Sequence, residues 1–174
     1  RARSIRTIPA RCGARSTRIL RPAALLVLVF GFAAPPLQAA EGDRAAVEKA
    51  VEGFYSALNT LFTGDVEPME QVWSHSADVT YMGPVGGSLK GWKAVSKSWR
   101  SQADKKLGGE IEIKNLQLFV GDRLAVAQGI EQGFNVVDGK RQDVSIRSSS
   151  VFRKEDGAWK MISHQTDLLP FLTD

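Results

Sequence analysis

At Glu110 the hydrophobic period of this chain changes and does not change back. Upstream, apolar residues fall at Val47, Ala50, Val51, Phe54, Leu58, Leu61 and Phe62. Spacings of three and four mark the stripe of an amphipathic helix. Downstream, Ile111 and Ile113, then Leu116, Leu118 and Val120, alternate with polar residues, the pattern of a strand with one buried face. A chain that places its helices first and its strands last folds as α+β, because consecutive strands pair with each other and the helices cover one face of the sheet.

The punctuation supports that layout. Asp43 is the expected N-cap of the first helix and Gly64 its stop. Residues 68–73, with Pro68 in the first turn, read as a short second helix, and residues 77–82 as a strand that ends at Gly83-Pro84. A third helix is expected over 92–105, with Trp92, Val95 and Trp99 on one face and Gly108-Gly109 behind it. Four strands follow, over 110–120, 124–134, 143–153 and 159–166. The parity slip at Lys114-Asn115 predicts a β-bulge. Asp138-Gly139 and Asp156-Gly157 predict tight hairpin turns.

Charge divides the chain differently. Residues 1–40 hold seven arginines, no lysine and no acidic residue, whereas the whole chain has 23 basic and 19 acidic residues. Residues 41–174 therefore carry 16 basic against 19 acidic side chains, a net of about −3. Such a body lacks the clustered positive face that a phosphate backbone requires, so no nucleic-acid partner is expected. The basic stretch runs into an apolar run at 23–34 and then Leu37-Gln38-Ala39-Ala40, the three-part layout of a secretory signal peptide. A run of 12 residues spans about 18 Å as a helix, short of the roughly 30 Å hydrocarbon core. No stable membrane span is expected after cleavage, which is placed after Ala39 or Ala40. The domain boundaries are thus 1–40 for the leader and 41–174 for the folded body, with a periplasmic or secreted location. A transit peptide to an organelle is the alternative, since the leader is also rich in Arg and Ser. Cys12, the only cysteine, would leave with the leader, which excludes disulfides, thiolate nucleophiles and cysteine-ligated zinc from the body.

Three strings carry a resemblance. They are Phe54-Tyr55-Ser56-Ala57-Leu58-Asn59 on the first helix, Ala77-Asp78-Val79-Thr80-Tyr81 with Gly91-Trp92 around the inserted strand, and residues 151–162 across the last hairpin. In this order they resemble the nuclear-transport-factor-2-like superfamily and, within it, the SnoaL-like group. The resemblance implies a cone-shaped α+β barrel, three N-terminal helices on a curved, mainly antiparallel sheet, with a pocket at the open end. It also implies homodimers formed through the outer sheet face. It does not specify chemistry, since this fold hosts isomerases, dehydratases, cyclases and association modules. In the ketosteroid isomerase branch an Asp base faces an oxyanion hole of Tyr and protonated Asp. Those positions fall on Gly83, Phe54 and Ser150 here, so that activity is not expected. The pocket histidines and arginine of the calcium/calmodulin-dependent kinase association domain correspond to Ser163, Gln165 and Ser150, which argues against an acidic-tail pocket of that kind.

Strand parity taken from those relatives gives the expected pocket. Ile146, Ser148, Ser150 and Phe152 should face inward, as should Met161, Ser163, Gln165 and Asp167, with His164 outward. Tyr81 shares the parity of Gly83. On the second long strand the larger apolar residues Val126, Ile130 and Phe134 put Gln128 and Gln132 on the inner side. The expected ligand pocket is therefore Tyr81, Gln128, Gln132, Ser148, Ser150, Ser163 and Gln165, neutral hydrogen-bonding groups in an apolar cone, suited to an uncharged or weakly polar organic ligand. No metal is expected, because His75 and Asp78 do not close a coordination sphere. No cofactor is expected either, because the chain has no Gly-rich phosphate loop, nucleophile elbow or HExxH string. Three readings remain: an exported homodimer that binds a small, largely apolar molecule; an isomerase, dehydratase or cyclase using Asp167 or His164 as base; and a non-catalytic homodimerisation module whose cone is filled by its own side chains.

Overall fold

The computed structural model describes residues 37–173; the leader up to residue 36 lies outside them. α1 spans Leu37–Leu61. It starts six residues before Asp43, so the expected cap is inside the helix, where its carboxylate pairs with Lys154. Ala39 and Ala40, the expected cleavage point, fall in the first turn of this helix, a place that alanine favours. The helix ends as expected, with Gly64 at φ +106° donating its N–H to the Leu61 carbonyl.

α2 (Glu67–Val72) and α3 (Trp92–Ala103) follow, with β1 (Thr80–Met82) and the two-residue β2 (Leu89–Lys90) between them. The four long strands are β3 (Glu110–Val120), β4 (Leu124–Val137), β5 (Lys140–Glu155) and β6 (Ala158–Thr166), and α4 (Pro170–Thr173) closes the described residues. The order across the sheet is β2-β1-β6-β5-β4-β3. Neighbours are antiparallel except β1 and β6, which pair in parallel with Tyr81 opposite His164. The architecture is the expected α+β cone, but its sheet is open, with edges at β2 and β3, and α1 and α3 complete the inner wall. Among the described residues no helix is long and apolar enough to cross a membrane.

Both hairpin turns form at the predicted dipeptides. Asp138 and Gly139 have φ of +50° and +73°, and Asp156 and Gly157 have +48° and +83°, the paired positive values of the tight turn that matches strand twist. The predicted bulge is also present, as a register shift between Lys114 and Gln117 with Asn115 at φ +53°.

The core lies between α1 and the inner face of the sheet. Val47, Val51, Phe54 and Leu61 from α1 meet Val95 and Trp99 from α3 and Phe152 and Met161 from the sheet, all at most 2% exposed. Burial follows the expected parity on β5, where Val144, Ile146, Ser148, Ser150 and Phe152 are buried. On β4 the parity is the reverse of that expected. Ala125, Ala127, Glu131 and Asn135 are buried, while Gln128 and Gln132 face outward with Val126, Ile130 and Phe134. Apart from Glu131 and Asn135 the inner face of β4 is built of small residues, and β3 comes close at Gly129 and Gly133. A Cβ on Gly129 would stand 2.7 Å from Ile113 Cγ1, and one on Gly133 would stand 1.9 Å from the Glu110 carbonyl oxygen.

β6 carries a second bulge. Val151 pairs with Ser163 and Phe152 with Met161, so Ile162 is an extra residue and the alternation shifts there. Trp159 and Met161 face inward, and beyond the bulge His164 does so as well. Ser163 and Gln165 therefore lie on the outer side, which reverses the expected orientation of all three.

Candidate functional site

The two irregularities bring Glu131 and His164 together inside the cone. His164 is 3% exposed and Glu131 5%, and the His164 Nε2 to Glu131 Oε1 distance is 3.3 Å. Tyr55, on the buried face of α1 six residues before its end, donates its O–H to the same carboxylate oxygen at 3.1 Å and lies 3.3 Å from Ser148 Oγ. Behind the imidazole, Ser150 Oγ is 2.8 Å from His164 Nδ1. A neutral ring satisfies this network when Nε2–H points at Glu131 and the Ser150 hydroxyl donates to Nδ1. Oε2 of Glu131 has no hydrogen bond among the described residues. Burial, with the nearby Glu131 carboxylate adding to it, pushes the Tyr55 phenol well above its ordinary range, so Tyr55 remains a donor.

Aromatic rings fix the imidazole. Phe54 lies 4.7 Å from it centroid to centroid, and the Tyr81 ring is nearly parallel to it at 6.1 Å and 12°. Trp99 packs on the far side of Tyr81 at 4.5 Å. Tyr81 folds back over Gly83: a Cβ there would be 2.0 Å from the phenol oxygen. No side chain can stand at position 83 while Tyr81 holds this pose.

Glu131, His164, Tyr81 and Trp99 border a cavity of about 40 Å³ whose other walls include Phe54, Leu58, Ile146, Leu169 and Leu172. That is room for a few water-sized groups, well below the several hundred Å³ of a drug-sized site. Leu169, 6% exposed and tied through its N–H to the Pro84 carbonyl, closes one end. Two buried polar atoms of cavity-lining residues, Trp99 Nε1 and Thr166 Oγ1, have no hydrogen-bond partner among the described residues. Such atoms cost roughly 1–3 kcal/mol each when left unmet.

The expected pocket residues divide between the two faces. Tyr81 lines the cavity, and Ser148 and Ser150 are buried beside it, engaged by Tyr55 and His164. Ser163 is outside, accepting from Thr80 Oγ1 at 2.9 Å. Gln128 and Gln165 are exposed and share an outer groove of about 710 Å³ with Asp167. Gln132 is exposed on the same side of β4 as Gln128. Asp167 turns out of the cone to a bidentate ion pair with Arg147, which holds its carboxyl below the usual range. Glu131 and Tyr55 were not anticipated as site residues. The signal for Glu131 was the small-residue alternation Ala125, Ala127, Gly129 and Gly133 that surrounds it. Among the described residues no group of three or more potential metal ligands occurs.

The family pattern described as a SnoaL-like domain matches residues 47–167. The chain belongs to the SnoaL-like domain family. Solved structures agree on the fold. A protein of the NTF2-like family from Streptomyces avermitilis, provisionally named a dehydratase, superimposes with a TM-score of 0.65 at 19% identity over 74% of this chain and 98% of that one. An NTF2-like protein with a cystatin-like fold from Novosphingobium aromaticivorans gives 0.61 at 18% identity, over 80% and 93%. An NTF2-like superfamily protein from Salmonella enterica gives 0.61 at 17%, over 71% and 91%. At these identities the likeness carries the fold and no chemistry. Among curated proteins none matches the chain. Within this SnoaL-like domain, β4 and β6 hold the Glu131–His164 pair, α1 supplies Tyr55, and β1 and α3 supply the aromatic wall.

Proposed function

We propose that this SnoaL-like protein binds a small, largely apolar organic molecule in the cone and moves a proton on it, in chemistry of the isomerase or dehydratase type. The observation that carries the reading is the placement of Glu131 and His164. A carboxylate and an imidazole in contact, both nearly fully buried and both bordering an apolar cavity, are costly to a core that needs only packing. Glu131 acts as the base, accepting a proton at Oε2 from a carbon next to a carbonyl and returning it elsewhere on the same molecule. Tyr55 and His164 hold the carboxylate in place, and Ser150 holds the ring. Trp99 Nε1–H or the Thr166 hydroxyl meets the oxygen on which charge develops. The printed name of the Streptomyces relative is in keeping with such chemistry. The basic leader supports a periplasmic or secreted location. The exposed Phe119, paired across strands with Val126 on the outer face, supports a homodimer through that face.

The test is proton exchange. The protein is incubated in deuterium oxide with butan-2-one, a ketone small enough for the cavity, and label at the α-carbon is followed by NMR. Exchange should be catalysed by the native protein and fall by about 10²–10⁴-fold in Glu131→Gln. Equal exchange in both proteins would remove Glu131 from the mechanism.

A further inference from the structure

The cavity shares a wall with a second space. Beside α3 a surface cleft of about 370 Å³ opens, and Tyr81 and Gln102 border both it and the internal cavity. Gln102 is the partition, and it is loosely held. It accepts from the Tyr81 hydroxyl at 3.4 Å, and its Nε2 donates to Ser98 Oγ at 3.2 Å and to the Ser98 carbonyl at 3.5 Å. All three distances lie at or beyond the outer limit of a normal hydrogen bond, so a rotation of this one half-buried side chain would connect the cleft to the cavity.

The cleft differs in chemistry from the cavity. Lys97, Ser101 and Lys105 line it at intervals of four residues along α3 and the turn after it, so they stand in one row. No acidic side chain lines the cleft, and neither lysine makes an ion pair among the described residues. A row of two ammonium groups with a hydroxyl between them matches one anionic head group. The lining contains no arginine, so the head group is met by point charges rather than by a two-point fork. Ser98 and Gln102 form the adjacent row, which leads to Tyr81.

We infer that the cleft is the doorway and head-group subsite of the catalytic cavity, and that the substrate class is a small carboxylate with an apolar, carbonyl-bearing tail. Lys97 and Lys105 hold the carboxylate over Ser101, Gln102 swings aside, and the tail reaches Glu131. This assignment rests on the proton-transfer reading above and names the substrate that site would take.

The test compares 4-oxopentanoate with its neutral counterpart, 5-hydroxypentan-2-one, on the full chain, with binding followed by calorimetry. The acid should bind roughly tenfold more tightly, the worth of two exposed ion pairs acting together. In Lys97→Gln/Lys105→Gln that preference should disappear while the affinity for the alcohol is kept. Lys49→Gln/Lys140→Gln, which alters two lysines outside the cleft, should leave the preference intact. Equal affinity for acid and alcohol, no binding of either, or a preference that survives the cleft variant would overturn the assignment. A stronger preference for 4-oxopentyl phosphate than for the acid would overturn the carboxylate class. Gln102→Ala should speed association of the acid, and an unchanged or slower rate would remove Gln102 as the partition. Deuterium exchange on the same keto acid reports separately on Glu131. A carboxylate preference without exchange would mean that the proton-transfer reading fails and the subsite stands; exchange without the preference would mean the reverse.

Discussion

Replacing Glu131 by two different residues separates its charge from its hydrogen bonds. In Glu131→Gln the new amide is nearly the same size, and its carbonyl can still accept from Tyr55, which sits at 3.1 Å. The same carbonyl oxygen faces His164 Nε2–H at 3.3 Å and can accept from it too, so the ring keeps its tautomer and its contact with Ser150 Oγ at 2.8 Å. Each group that meets Oε1 keeps its partner, and the NH₂ takes the place of Oε2 beside the cavity, so stability should change by less than about 1 kcal/mol. Glu131→Leu offers no such exchange. His164, 3% exposed, loses its partner at Nε2, and Tyr55 is left with Ser148 alone at 3.3 Å. Stranding such groups costs about 1–3 kcal/mol, which in a domain of this size lowers Tm by roughly 4 °C per kcal/mol. Urea titration and thermal melts of the three proteins provide the assay. Equal destabilisation by Gln and Leu would refute the reasoning, because it would show that the negative charge itself holds the cone together.

The remaining predictions concern other parts of the structure. Asp78, exposed and bonded to Arg153 and Ser76, has its carboxyl held well below the usual carboxylate range, first by Arg153 and then by Ser76. A depressed acid stabilises the fold above its unfolded pKa, so Asp78→Asn should cost about 1 kcal/mol or less at pH 7, and the gap should narrow as pH falls below about 4. A urea midpoint difference that widens towards pH 3 would contradict this. Gly133→Ala should destabilise by at least about 2 kcal/mol, because its Cβ would collide with the Glu110 carbonyl at 1.9 Å in a backbone with φ +153°, and amide exchange should accelerate first along β3 and β4. Phe119, 58% exposed on the outer face, should hold the proposed dimer, so Phe119→Asp should shift sedimentation to the monomer without changing Tm by more than a few degrees.

The helices, the two hairpin turns and the β3 bulge were legible because each has a local cause. Asp-Gly supplies two residues that tolerate positive φ, and a parity slip within one strand is visible in its own letters. The inner face of β4 was not legible by the rule that large apolar residues point inward. Val126, Ile130 and Phe134 point outward, and on the other side the proximity of Ile113 and the Glu110 carbonyl leaves no room for a side chain at positions 129 and 133. The bulge at Ile162 was hidden for another reason. Met161, Ser163 and Gln165 alternate smoothly in sequence, and only pairing with β5 shows that Ile162 is supernumerary and that His164 faces the cone. Tyr81, Ser148 and Ser150 are buried on the inner face, since their strands keep regular parity up to those positions. Tyr55 reads as one more member of an amphipathic stripe, and nothing in its spacing announces the carboxylate it meets 76 residues later.

The parallel pairing of β1 with β6 has a consequence for how the molecule is made. Thr80 meets Ser163 across a separation of 83 residues, and closing a segment of that length costs entropy that the local hairpins between β3 and β6 do not incur. The meander from β3 to β6 can zip up by itself, whereas β1 has no sheet to join until residues 163–165 have left the ribosome. The aromatic wall that Tyr81 supplies to the imidazole is therefore among the last parts to assemble, and a nascent chain stalled short of β6 would have its helices, a partial sheet and no site.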